Sequence, residues 1–268
     1  TFSDELHSIQ KDGFENWITN RDEKSLEYEN KICDKISSVI KNKLCTPEGK
    51  LRVSATNLNG FYKNPTKWLN EKILQIKEFS TETSVVDDVF LGSIYHEIIK
   101  RLFTKIKKST EHFEFTDNTI PKQYSDFIFE STSDVIKNFP ESIGSKQNIS
   151  LLTKEFLVTQ KKNIYQNLIN FMQSFLCFFN EYKIISIEEK FKMDGDSPDY
   201  FIEGIIDCIL SSPDDKITII DFKTSKFPDK EKDLQLLLYI KLYENNLKEK
   251  GLDLKVDQAC FFSIIQAK

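Results

Sequence analysis

Between Ile184 and Lys223 the chain runs through three short stretches of strand character joined by two dense turn clusters. Ile184–Met193 alternates and gives way to Asp194-Gly195-Asp196-Ser197-Pro198-Asp199. Tyr200–Leu210 ends at Ser211-Ser212-Pro213-Asp214-Asp215-Lys216, and Ile217–Lys223 follows. Connections this short accommodate hairpins only, so the three strands form an antiparallel meander. A helix over Lys230–Lys248 and a strand over Leu254–Ile265 come next. A strand regained through a helix joins by a crossover, which makes the sheet mixed.

Ahead of this sheet the pattern is helical. Helices are expected over Leu26–Lys43, Asn64–Ile76, Val89–Lys107, Ser125–Asn138 and Thr153–Asn180, with Pro65 suited to a first helical turn. The fold class is therefore α/β: a central mixed β-sheet flanked by helices, behind a mainly helical N-terminal half. We expect one domain over 1–268, helical over 1–180 and carrying the sheet over 181–268, cut from a longer protein. No apolar run is long enough to span a bilayer, and no signal peptide is present. Five cysteines, odd in number and never spaced as CxxC, argue against a zinc ribbon or a disulfide scaffold. Free thiols suit a reducing, cytoplasmic setting. The net charge of −5 does not itself advertise nucleic-acid binding, which depends on local clusters of cations.

Chemistry concentrates at the end of the third strand. In Ile217-Thr218-Ile219-Ile220-Asp221-Phe222-Lys223, alternation turns Asp221 and Lys223 to one side and Phe222 to the other. A hairpin centred on Asp214 sets Asp207, in Gly204-Ile205-Ile206-Asp207, opposite Asp221. Two carboxylates that close repel unless a cation separates them, and oxygen ligands suit Mg²⁺ or Mn²⁺. An Asp-x-Lys pair taken alone is more often a surface salt bridge. Two helices add to it. Gly92, His96, Ile99 and Phe103 share one helical face, where Gly92 permits close approach and a neutral His96 can ligate a metal. Gln235 and Tyr239 stand one turn apart on the later helix, in a stripe that would also serve as plain core.

The order of these features is more specific than any one of them. It runs Gly-x-x-x-His-Glu on a helix, a strand glutamate, Gly-x-x-Asp, Asp-x-Lys, then Gln-x-x-x-Tyr on a helix. From roughly Leu51 to Cys260 the chain resembles the RecB-like branch of the PD-(D/E)xK nuclease superfamily, and within it the nuclease domain of AddB-type recombination nucleases. The resemblance implies a restriction-endonuclease-like core and metal-dependent hydrolysis of DNA phosphodiesters. It implies His96, Asp207, Asp221 and the Phe222 backbone carbonyl as metal ligands, Lys223 as the catalytic lysine, and Gln235 and Tyr239 as the auxiliary motif. The strand glutamate is either Glu188 or Glu189: spacing to Phe191 favours the first, alternation the second. Many relatives carry an iron–sulfur cluster on a cysteine segment that Ser54–Pro65 resembles. Asn64 stands at the cysteine position, so no cluster is expected.

The reading is thus a DNA exonuclease of recombination or double-strand-break repair. A helicase–nuclease partner subunit or an attached helicase-like region goes with it, and no membrane. Thr224, Ser225 and Lys226 follow the active strand and are candidates for touching neighbouring phosphates. Lys63, Lys67, Lys72, Lys100, Arg101, Phe61, Tyr62 and Trp68 are wider groove candidates. The rival readings are a non-catalytic DNA-end-binding or helicase-associated scaffold, a nuclease acting on RNA, and a CRISPR-associated nuclease of the same superfamily.

Overall fold

The computed structural model describes residues 23–76, 88–110, 112–113, 119–143, 150–224 and 234–265. Helix α1 (Glu23–Leu44) leads to a short strand β1 (Leu51–Ser54), then α2 (Ala55–Lys63) and α3 (Pro65–Trp68), which runs on as a π-helical turn, Leu69–Ile73. Three longer helices follow: α4 (Asp88–Ser109), α5 (Lys122–Lys137) and α6 (Leu151–Phe179). The meander is β2 (Lys183–Asp194), β3 (Tyr200–Ser211) and β4 (Ile217–Lys223), after which α7 (Gln235–Glu249) leads to β5 (Val256–Ser263). Among the described residues no helix is long and apolar enough to cross a membrane.

The sheet is mixed, as expected. β2 and β3 pair antiparallel from Lys183↔Ser211 to Asp194↔Phe201. β3 and β4 pair antiparallel from Cys208↔Ile220 to Ser211↔Ile217, the register of a hairpin centred on Asp214. β4 and β5 are parallel, joined through α7. Since β2 occupies one edge of β3 throughout, its other edge is shared. β1 lies parallel to Tyr200–Glu203, β4 takes Cys208–Ser211, and Gly204–Asp207 falls between them.

Two details depart from the sequence expectation. The helix expected over Asn64–Ile76 starts at Pro65 but turns from α to π at Leu69 and ends at Ile73, and a separate helix, α2, precedes it. Asn64 ends α2 and caps α3, its side-chain oxygen accepting the Lys67 N–H over 2.9 Å. A cap needs extended backbone, so a helix cannot run through it. β1 had no sequence signal, because four residues are too few to show alternation.

Each face of the sheet has its own core. On one, α4, α5 and α6 pack over Cys208, Leu210, Ile220 and Phe222. Phe222 meets Phe171, Phe103 and Phe175 at ring separations of 5.4, 5.9 and 6.1 Å. On the other, Tyr239, Leu242, Tyr243 and Leu247 of α7 pack on Ile206, Ile209, Ile217 and Ile219. α2 reaches the same helix: buried Asn59 accepts the Leu234 N–H over 2.8 Å, satisfying a donor just ahead of the first turn of α7.

Gly204 sets how closely α7 approaches. A Cβ there would lie 2.9 Å from Tyr239 Cε1 and 3.0 Å from Leu242 Cδ1, both buried ring or branch atoms. Overpacking of this sort costs about 1–3 kcal/mol. Gly204→Ala is therefore expected to lower the urea midpoint with the slope unchanged, and to weaken activity by shifting Tyr239. A midpoint equal to that of the wild type would show that the helix gives way freely.

Candidate active site

The site forms where β3 and β4 part. Their ladder reaches Cys208↔Ile220, and the next step of that register faces Asp207 toward Asp221. At that step a side chain replaces the backbone acceptor: Asp207 Oδ2 receives the Phe222 N–H at 2.7 Å. The strands separate without leaving a buried donor unpaired. Alternation along β4 sends Phe222 into the aromatic core and Asp221 and Lys223 the other way.

Asp221 is 2% exposed. Lys223 Nζ stands 2.6 Å from its Oδ2, an ion pair that neutralises this buried oxygen. Its Oδ1 accepts from Gln235 Nε2 at 2.8 Å. Gln235, the first residue of α7, also meets the Tyr239 hydroxyl at 2.8 Å and accepts from Lys223 Nζ at 3.1 Å. One amide thereby ties the acid, the lysine and the tyrosine together.

From the opposite face α4 brings His96, with Nδ1 3.6 Å from Asp207 Oδ1 and its ring 6.2 Å from that of Phe222. Burial holds its pKa below the ordinary value, against the pull of Glu188 and Asp221 toward the charged form. The imidazole is therefore neutral near pH 7. Gly92, one turn earlier, lies against Thr224: a Cβ on it would stand 3.4 Å from Thr224 Oγ1, ordinary contact.

The choice between the two strand glutamates has a geometric answer. Glu188 lines the cleft and pairs with Lys100 Nζ at 2.9 Å. Glu189 is exposed and pairs in register with Ile206, and its charge adds to the effect of burial in raising the Tyr243 hydroxyl pKa on the α7 side. Simple alternation misplaces these residues for two reasons. The β2 register shifts between Ile184 and Ser186, and Glu188 itself takes a left-handed φ of 44°.

Together these residues line an open cleft of about 670 Å³. It contains His96, Glu188, Asp207, Asp221, Lys223, Gln235 and Tyr239, along with Phe222 and Thr224. Ser225 and Lys226 lie outside the described residues. Arg101 pairs with Glu97 at 2.7 Å and Asp134 at 2.6 Å, and Lys67 with Glu71 at 3.5 Å. Phe61 and Tyr62 are exposed, with Phe61 edge-on to Trp68 at 5.4 Å. Ser93 and Glu97, one helical turn apart on α4, also line the cleft. Asn59, which supports α7, had no sequence signal.

A family model described as the PD-(D/E)XK nuclease superfamily matches residues 52–266, spanning the helical half and the sheet alike. The chain belongs to the PD-(D/E)XK nuclease superfamily. An uncharacterized protein of Treponema pallidum (strain Nichols) is 33% identical over 63 residues, 24% of this chain and 8% of that protein's length. PD-(D/E)XK nucleases act on nucleic acid and typically use divalent metals. The groups in this cleft that could hold such an ion are Asp207, Asp221, His96 and the Phe222 carbonyl, hard oxygens with one imidazole nitrogen. The sign of fit is the donor set itself, two carboxylates and a neutral imidazole lining one cleft. Among the described residues no three Asp, Glu, His or Cys side chains close to the spacing of one ion's ligands. Asp221 is instead neutralised by Lys223.

Burial pushes Asp207 up to about 7, with Glu188 adding to the effect and the Phe222 N–H and Lys223 opposing it. Burial and the Asp207 charge push Asp221 up to about 6, against the pull of Lys223. Both values exceed those of the unfolded chain, so between pH 4 and 7, about the unfolded and folded values, the folded state holds more protons. Stability of this nuclease in EDTA is expected to fall as pH rises through that window and then to level off. Asp207→Asn keeps an acceptor for Phe222 and removes the charge. It should flatten the decline and raise the melting temperature at pH 8. A variant with the wild-type pH slope would show that Asp207 is not the group titrating.

Proposed function

We propose that this chain is a divalent-metal-dependent deoxyribonuclease that digests DNA from its ends, with Mg²⁺ or Mn²⁺ as the ion. The observation that carries this reading is the convergence of Asp207, Asp221 and Lys223 at the parting of β3 and β4, tied by Gln235. Asp207 and Asp221 would hold the ion, with His96 and the Phe222 carbonyl completing its protein ligands. The ion, when bound, supplies charge neutralisation at the phosphate and lowers the pKa of water. Lys223 orients the attacking water or offsets charge on the phosphate as the P–O bond to the leaving oxygen breaks. Gln235 fixes the ammonium, and Tyr239 fixes Gln235. Of the two strand glutamates, Glu188 is assigned to the site. Thr224, at the mouth, is assigned with Ser225 and Lys226 to neighbouring phosphates.

End-directed action, a role in recombination or double-strand-break repair, and association with a helicase-like partner rest on the motif order shared with the RecB-like branch. That order also supports treating the chain as one nuclease domain.

The test is digestion of end-labelled linear duplex, closed circular duplex and an RNA of matching sequence, with Mg²⁺, Mn²⁺ or EDTA. Linear DNA should be degraded only with the ion, and the circle and the RNA spared. Lys223→Ala should lose about 10²–10⁴-fold in rate. Cutting of the circle would replace the exonuclease reading with an endonuclease, and preference for RNA would change the substrate. A folded wild-type protein that binds DNA and cuts nothing would leave a DNA-end-binding scaffold.

A further inference from the structure

A second concavity, about 570 Å³, runs along α4 and joins the catalytic cleft, since Glu97 and Lys100 line both. Its wall is one helical stripe. From His96 the column continues at four-residue steps through Lys100, Thr104 and Lys108, with Arg101 and Lys105 on the adjacent column. The groove holds four cations against one carboxylate, Glu97, in a chain of net charge −5. Such a local excess is placed rather than statistical.

The cations are not equivalent. Lys100 is committed to Glu188 at 2.9 Å, and Arg101 to Glu97 and Asp134. Among the described residues, Lys105 and Lys108 have no carboxylate partner. Lys105 Nζ is held 4.1 Å over the ring of Phe127, which keeps its charge and limits its rotamers. Thr104 adds a hydroxyl beside them. From Lys100 to Lys108 the helix rises about 12 Å, at 1.5 Å per residue. That length lets an extended strand run past more than one phosphate.

We propose that this groove carries the sugar–phosphate backbone of the DNA strand beyond the cleft, with Lys105 and Lys108 as its phosphate contacts. The proposal rests on the nucleic-acid reading of the active site, and deepens it by giving the strand a direction along α4 from His96 toward Ser109. Lys105 and Lys108 touch no reacting atom in this assignment. They bind and steer substrate, so their effect must grow with strand length and shrink with salt.

The experiment measures binding of fluorescein-labelled single-stranded DNA of four and thirty nucleotides by anisotropy in EDTA, over a range of KCl. It compares wild type with Lys105→Glu/Lys108→Glu, and with Lys250→Glu/Lys255→Glu, exposed lysines near the end of α7 that change net charge equally. The groove variant should bind the long strand at least tenfold more weakly. Its salt slope should be shallower by about 1.4, at about 0.7 for each phosphate contact of a single strand. Four-nucleotide binding, and hydrolysis of that short strand with Mg²⁺, should stay at wild-type levels. Equal weakening by the Lys250/Lys255 variant would reduce the effect to overall charge and overturn the track. Wild-type affinity and slope in the groove variant would do the same, as would a wild type that binds no DNA. Because binding is read without cleavage, a wild type that binds through the groove and cuts nothing sinks only the nuclease reading.

Discussion

The Phe222 N–H donates to Asp207 Oδ2 over 2.7 Å at the point where β3 and β4 cease to share a backbone ladder. β4 is buried on both faces, so a donor left unpaired there would cost about 1–3 kcal/mol. A carboxylate acceptor removes that cost without requiring the strands to stay together, and a charge-assisted bond is stronger than the one it replaces. The sheet can therefore open along Gly204–Asp207 while its lower half remains paired. The cleft exists because the ladder ends on a side chain.

Phe222 also decides which way the charges face. Its ring is locked among Phe103, Phe171 and Phe175 on the helical side, so the neighbouring Asp221 and Lys223 must project toward α7. There the amide of Gln235 meets both partners of the ion pair. A buried ion pair gains its Coulomb energy only when its remaining hydrogen-bonding groups are matched. Gln235 matches one oxygen of Asp221 and one proton of Lys223, and leaves Oδ2 to the ammonium itself at 2.6 Å. Gly204 and Asn59 act one layer out. The first lets α7 lie close enough for this amide to reach, and the second secures the N–H of Leu234 at the approach to that helix.

Much of this was legible in the sequence, for physical reasons that differ by element. The β3–β4 register follows from a tight turn and two acids equidistant from its centre, and the faces of α4 and α7 follow from helical period. β1 escaped because four residues carry no periodicity and because it joins β3 in parallel with no turn to mark it, and α2 because Asn57, Asn59 and Gly60 weaken the helical signal of its nine residues. The helix expected over Asn64–Ile76 begins on the Asn64 cap, but its change from α to π at Leu69 leaves no mark in an apolar pattern. Asn59 looks in sequence like any polar helical residue, and its partner is 175 positions away. The glutamate question was undecidable from alternation, since that rule presumes an unbroken pleat. A register shift beside Ile185 and the left-handed backbone of Glu188 break it.

That backbone conformation costs about 1–3 kcal/mol in a residue with a Cβ, and such strain persists where the surroundings over-determine it. Here it accompanies a Glu188 side chain that lines the cleft and pairs with Lys100 at 2.9 Å. Above pH 7 the ionised Asp207, Asp221 and Glu188 face Lys223 and Lys100, with His96 neutral. Glu97 also lines the cleft, paired with Arg101 outside it, so the carboxylates outnumber the two ammonium groups and a phosphodiester would enter a repulsive cleft. On the proposed function, a divalent cation reverses that sign and makes the scissile phosphate a favourable occupant. Ion and substrate then raise each other's affinity by the same factor. The coupling belongs to the acid cluster, and phosphates lying along α4 beyond Lys100 need no ion, because lysines face them already.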